Sequence, residues 1–199
     1  MFNLIAHRGL VNNTQDNSLE SLTNGLKSDK YKGIETDVRE TLDNEFILYH
    51  NPLFKGNLVK NTSYKSFKKE NIIKLSDLLK IKTNKILLLE IKDFNINIDN
   101  LLKELNKYKR NIYLMSFNNN IIKNIRLKTN KYKVGILNYV LNTIPNYSYD
   151  FIVILNDILT SNIIKTYQEN NIIVFSYGIR NIKDINFKDI FYIVDDYQK

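Results

Sequence analysis

GIETDVRETLDNEFILYHNP (residues 33–52) places two carboxylates one residue apart and ends an apolar run on a histidine. In an extended chain successive side chains alternate sides, so Glu35 and Asp37 share one face while Ile34, Thr36 and Val38 share the other. Two acids converging on one face repel each other, and a hard cation or a cationic side chain relieves that repulsion. The plainer alternative is a half-exposed strand with a polar face. Asp43 and Asn44 then interrupt the pattern at the point where a turn former reverses a chain. A tight reversal there carries His50 back toward Asp37, and Asn51 and Pro52 end the second run.

On the N-terminal side, Asn3–Ala6 is a short apolar strand that runs directly into His7, Arg8 and Gly9. Asn17 or Ser18 can cap a helix from Leu19 to Lys27, with Glu20 in its first turn where negative charge is favoured. On the C-terminal side, Leu53 to Asn71 reads as a polar, basic loop with one turn of helix, and a helix over Leu75–Leu79 comes after it. Ile86–Ile91 is an apolar run broken by Glu90, as expected of a strand buried on both faces of a parallel sheet. Helices over Ile98–Tyr108, Asn119–Leu127 and Thr160–Asn170 alternate with strands over Asn111–Phe117, Lys133–Leu137, Phe151–Leu155, Ile172–Tyr177 and Asp189–Val194.

Strand and helix succeed each other about eight times, the spacing of a (β/α)8 TIM barrel. The fold expected is therefore α/β, a compact TIM barrel with some helices missing, forming a single domain over residues 1–199. Asn138 to Tyr149, which holds Pro145, is the weakest of the helix positions. An open doubly wound sheet is the structural alternative, against which stands the lack of a glycine-rich phosphate loop after the first strand.

Composition narrows the chemistry. There is no cysteine, so disulfides and thiolate metal sites are excluded. Lys+Arg number 29 against 21 Asp+Glu, a formal net charge of +8, which favours anionic partners. The basic residues are scattered, with KSFKKE (65–70) the densest patch, so no nucleic-acid partner is expected. No secretory leader pattern and no apolar run of about 20 residues is present, which points to a cytoplasmic protein without a transmembrane segment. Oligomeric state leaves no mark in the sequence.

In a barrel of this kind the reactive groups collect at the C-terminal ends of the strands. His7 comes directly after the first strand, Glu35 and Asp37 lie toward the end of the second, His50 ends the run after it, and Glu90 and Lys92 close the next. The chain has only two histidines, and both fall at this rim. Three carboxylates without a thiol suit Mg²⁺ or Ca²⁺ before Zn²⁺. Two imidazoles can serve as base and acid, and Arg8 and Lys92 can hold an anion. A divalent cation, two imidazoles and two cationic clamps point to phosphoryl chemistry.

AHRG (6–9), QDNS (15–18), the 33–52 stretch and LLLEIK (87–92) together resemble the glycerophosphodiester phosphodiesterases, metal-dependent (β/α) barrel enzymes. A weaker match continues through Ser116–Phe117 and VFSYG (174–178). The resemblance implies hydrolysis of a small glycerophosphodiester to glycerol 3-phosphate and an alcohol, through a cyclic phosphate. It implies His7 and His50 as the acid/base pair, Glu35, Asp37 and Glu90 as ligands of Mg²⁺ or Ca²⁺, and Arg8 and Lys92 as phosphate contacts. Phe117 and Tyr177 are expected to line the site, although strand-end core aromatics would look the same. Asp16 stands where the family usually has Glu, Asn51 where it has Asp, and VDDY (194–197) lacks the usual threonine and proline. Two alternatives share the site: a lyase that stops at the cyclic product, and a non-catalytic module that binds anionic lipid or phosphate.

Overall fold

The computed structural model describes residues 2–139, 149–179 and 181–195. In chain order its elements are β1 (Asn3–Ala6), α1 (Leu19–Lys27), β2 (Tyr31–Glu40), β3 (Phe46–Leu48), the small hairpin β4 (Leu53–Phe54) and β5 (Asn57–Leu58), α2 (Tyr64–Lys68) and α3 (Leu75–Leu79). Next come β6 (Ile86–Ile91), α4 (Ile98–Asn106), β7 (Asn111–Ser116), α5 (Asn119–Lys128), β8 (Lys133–Asn138), β9 (Phe151–Leu155), α6 (Ser161–Glu169), β10 (Ile173–Tyr177) and β11 (Phe191–Val194).

Eight strands close a parallel barrel in the order β1, β2, β6, β7, β8, β9, β10, β11, because β1 pairs with both β2 and β11. A closed ring leaves no open sheet edge, which disposes of the doubly wound alternative. Between β10 and β11 a 3₁₀ turn over Ile182–Asp184 replaces a helix, one of the omissions the short chain demands. The weak helix position of 138–149 lies mostly outside the described residues. The stretch 53–71 differs from a plain loop: it holds the β4–β5 hairpin, a 3₁₀ turn over Val59–Asn61 and α2. Its Phe54, Val59 and Phe67 form a small apolar cluster with Ile47 and Ile72, a core of its own that a polar average conceals.

Alternation does the sorting. Leu4, Ala6, Ile34, Leu87, Leu89 and Ile152 face the helices, which bury matching stripes such as Leu101, Leu102 and Leu105 of α4. The other parity, Ile5, Leu88, Met115, Val153, Phe175 and Ile193, fills the barrel. Low in the barrel the rings of Tyr113 and Phe151 lie 5.4 Å apart, Phe151 and Phe175 5.2 Å, and Phe175 stacks on Phe191 at 4.7 Å. Gly135 makes room for this packing: a Cβ there would stand 2.4 Å from the Phe151 ring.

The 33–52 stretch folds as its residues dictate. Asn44 takes the left-handed conformation (φ 59°) at the turn, which asparagine tolerates better than most residues. β3 then runs antiparallel to β2 with Val38 opposite Leu48, and the Tyr49 amide donates to the Asp37 carbonyl at 3.0 Å. Buried Arg39 anchors the chain just beyond β3: its Nε and Nη2 donate to the His50 carbonyl at 3.0 and 2.8 Å, and its Nη1 pairs with Asp93. Asp93 Oδ2 in turn accepts the Glu40 amide at 2.7 Å. One guanidinium thus ties together the end of β2, the chain beyond β3 and the segment after β6. Among the described residues no helix is long and apolar enough to cross a membrane.

Two stability measurements test this packing. Gly135→Ala should lower stability by about 1–3 kcal/mol through overpacking, and by less in a Phe151→Leu background, where the two changes couple; thermal melts of the four proteins in the cycle decide. Arg39→Met strands the Asp93 charge and the His50 carbonyl, and should cost about 3 kcal/mol in urea unfolding.

Candidate active site

β1 ends where the site begins. Arg8 (φ 55°) and Gly9 (φ 86°) turn the chain sharply back onto the start of α1. The Arg8 carbonyl accepts from the Asn17 amide at 3.1 Å and from Ser21 Oγ at 3.0 Å. A Cβ on Gly9 would lie 2.5 Å from the Ser21 backbone, so only glycine permits both the conformation and the approach. Ser18 caps α1. Asn17, the other candidate cap, instead bridges two strand residues: its Nδ2 donates to Asp37 Oδ2 at 2.9 Å and its Oδ1 accepts from Thr36 Oγ1 at 2.6 Å.

The acids do converge. In the β2–β6 register Glu35 lies opposite Leu88 and Asp37 opposite Glu90, so strand parity turns all three carboxylates into the barrel. Glu35, Asp37 and Glu90 are buried, and each offers an oxygen within 4.8 Å of the others. Two cations stand among them. Lys92 Nζ lies 2.7 Å from Glu90 Oε1 and 3.5 Å from Asp37 Oδ1, and Arg8 Nε lies 3.3 Å from Asp37 Oδ2. Arg8 also reaches Asp16 at 3.1 Å through Nη1, and its amide donates to Glu35 Oε2 at 3.2 Å.

Three carboxylates outnumber those two cations, and the electrostatics record the imbalance. Burial, then the neighbouring Asp37, push the Glu35 carboxyl up to about 8. Burial raises Glu90 as well, against the pull of Lys92. Glu35 Oε1 is a buried oxygen with no hydrogen-bond partner among the described residues. An orphaned carboxylate oxygen beside two further acids is a donor set of the hard-oxygen kind that divalent cations take, so this trio fits a metal ion.

The imidazoles flank the acids. His7 Nε2 lies 3.8 Å from Glu35 Oε2, and its Nδ1 is 2.7 Å from Asp195 Oδ1. Burial would pull the His7 imidazole down, but the bond to Asp195 and the charge of Glu35 outweigh it and raise it above its ordinary value. His50, its carbonyl clamped by Arg39, has Nδ1 3.1 Å from Asn51 Oδ1.

A cavity of about 220 Å³ opens among these groups. His7, Arg8, Glu35, His50, Glu90 and Lys92 line its charged side. Met115, Phe117, Leu137, Tyr139, Tyr177 and Ile193 line the other. Phe117 stacks on Tyr139 at 4.6 Å and meets Tyr177 edge-on at 6.3 Å. Asp37, level with Glu90 along the strands, is not part of the cavity wall. The nine residues singled out from sequence are thus brought to one end of one barrel. Five other contributors escape a sequence reading: Asn17 and Asp195, which bond site side chains, Tyr139, and Arg39 with its partner Asp93. Asn17 has the character of a helix cap, and Asp195 joins His7 only through strand pairing between the two ends of the chain.

The fold matches known barrels. No curated protein matches the chain in sequence. Among solved structures, a chain from Galdieria sulphuraria superposes with a TM-score of 0.85 at 18% identity, covering 97% of this chain and 93% of that one. A glycerophosphodiester phosphodiesterase from Thermotoga maritima does so with a TM-score of 0.79 at 18% identity, covering 97% and 94%. An Oleispira antarctica phosphodiesterase in complex with the product sn-glycerol-3-phosphate gives 0.79 at 15%, covering 96% and 92%. At such identities the likeness speaks for the fold. The sequence itself carries the assignment, because residues 7–193 match the model of the glycerophosphoryl diester phosphodiesterase family, and the chain belongs to that family of enzymes.

Proposed function

We propose that this phosphodiesterase uses the cavity at the C-terminal rim to cleave a small glycerophosphodiester into glycerol 3-phosphate and an alcohol, residues 1–199 acting as one unit. The observation that carries the reading is the buried trio Glu35, Asp37 and Glu90 beside two imidazoles. The three carboxylates would hold Mg²⁺ or Ca²⁺, which when bound supplies Lewis-acid polarisation of a phosphate oxygen. Arg8 and Lys92, freed from part of their pairing with the acids, would contact the phosphate. Phe117 and Tyr177 would cover the carbon skeleton of the glycerol side.

The proton steps fall to the histidines. One imidazole takes the proton of the glycerol hydroxyl next to the ester as its oxygen attacks phosphorus, while the other gives a proton to the departing alkoxide. Water then opens the cyclic phosphate as the same two groups reverse roles. His50 is rigidly placed for either part because its backbone is anchored through Arg39.

Release of glycerol 3-phosphate from glycerophosphocholine or glycerophosphoethanolamine with Mg²⁺ or Ca²⁺ is the direct assay. His7→Ala and His50→Ala should each lower kcat by about 10²–10⁴-fold. No turnover of any diester, or turnover indifferent to both substitutions, would reject the reading, and ³¹P NMR of the product separates hydrolysis from a reaction that stops at the cyclic phosphate.

Stability gives a second test. With Glu35 raised to about 8 from an ordinary value near 4.5, the metal-free folded protein holds a proton that the unfolded chain has lost between those limits. The unfolded state binds fewer protons there, so this group's stabilising contribution falls as pH rises from about 4.5 to 8. Melting curves in EDTA should therefore decline over that window relative to Glu35→Gln. Added Mg²⁺ or Ca²⁺ should reverse the decline, since a ligand of the folded state alone raises its stability.

A further inference from the structure

We propose that Asp195 is a positioning residue for His7, locking its imidazole so that Nε2 alone works in the cavity. The inference deepens the phosphodiesterase reading, on which its kinetic arm rests. Strand pairing builds the contact. Ile5 lies opposite Ile193 and Ala6 opposite Val194 in the β1–β11 ladder, and the His7 amide donates to the Val194 carbonyl at 2.9 Å. Ile5 and Ile193 both point into the barrel, so the residues two places on, His7 and Asp195, stand side by side on the same face.

The chemistry of that pair is one-directional. An ionised carboxylate only accepts hydrogen bonds, so at 2.7 Å Asp195 Oδ1 requires the proton on His7 Nδ1. The other ring nitrogen, Nε2, faces Glu35 Oε2 at 3.8 Å, and it is left as the atom that can accept or give a proton toward substrate. Without the carboxylate the ring is free to exchange tautomers and to turn about its Cβ–Cγ bond, and part of the population would present the wrong atom. Asp195 lies largely in solvent, its side chain 68% exposed, so removing its charge should leave the core untouched.

The test combines NMR with kinetics on the full chain in Mg²⁺. With only two histidines in the sequence, ¹⁵N–¹H spectra at a pH where the imidazoles are neutral resolve both rings, and His50→Ala assigns them. His7 should show the Nδ1–H tautomer, and Asp195→Asn should shift it toward Nε2–H, because the amide can donate to Nδ1. Asp195→Asn should lower kcat about 10–100-fold, in the range seen when a residue orienting a functional histidine is lost, with KM little changed. In a His7→Ala background it should do nothing further. An Nε2–H tautomer in the unsubstituted protein, an unchanged spectrum in Asp195→Asn, or an equal loss of kcat in the His7→Ala background would overturn the proposal. If the unsubstituted protein turns over no diester, the assigned reaction fails instead, and the tautomer spectra still decide the role of Asp195.

Discussion

Mutual repulsion among Glu35, Asp37 and Glu90 is the constraint around which this molecule is arranged. Three carboxylates share a few ångströms of buried space, and burying charge without compensation is among the most costly things a fold can do. Arg8 and Lys92 answer part of that demand, and the carbonyl-locked turn at Arg8–Gly9 brings the first of them in. What they leave over appears at Glu35, whose oxygen finds no partner and whose proton is held well beyond the usual range. A site in that condition is unfavourable for folding and favourable for binding a cation. Function here draws on stability contributed elsewhere in the barrel.

The contribution comes from strand parity. The same alternate positions that hold Leu88, Phe175 and Ile193 deep in the barrel hold Glu90, Tyr177 and Asp195 at its rim. Each of these three strands therefore changes from an apolar to a polar inward side chain within two residues. The rigid, ring-filled lower half lets the upper half carry polar groups in fixed directions, which catalysis by pre-set geometry requires.

Much of this was legible from the chain. Two histidines that both come after strand-like runs, and two acids at i and i+2 in one strand, announce a rim, because period-two alternation translates directly into a shared face. Helix stripes such as Leu101, Leu102 and Leu105 were equally plain. What escaped were relations set by closure and by loops. Asp195 meets His7 only because β1 and β11 are neighbours, a pairing across nearly the whole chain that no local window contains. Asn17 has the residue type of a helix cap, and the sequence cannot tell that its amide reaches across to Asp37 while Ser18 does the capping. The 53–71 stretch averaged out as polar because its few apolar residues, Phe54, Val59 and Phe67, are dispersed in sequence and gathered only in space.

The stacked rings beneath the cavity have a consequence for traffic. Tyr113, Phe151, Phe175 and Phe191 fill the barrel from below, with Gly135 yielding the space, so among the described residues the cavity opens toward the rim rather than through the barrel. Under the proposed reaction, substrate, attacking water and both products would pass by way of that rim. The tempo of that reaction's second half would then depend on departure of the first product as well as on bond breaking.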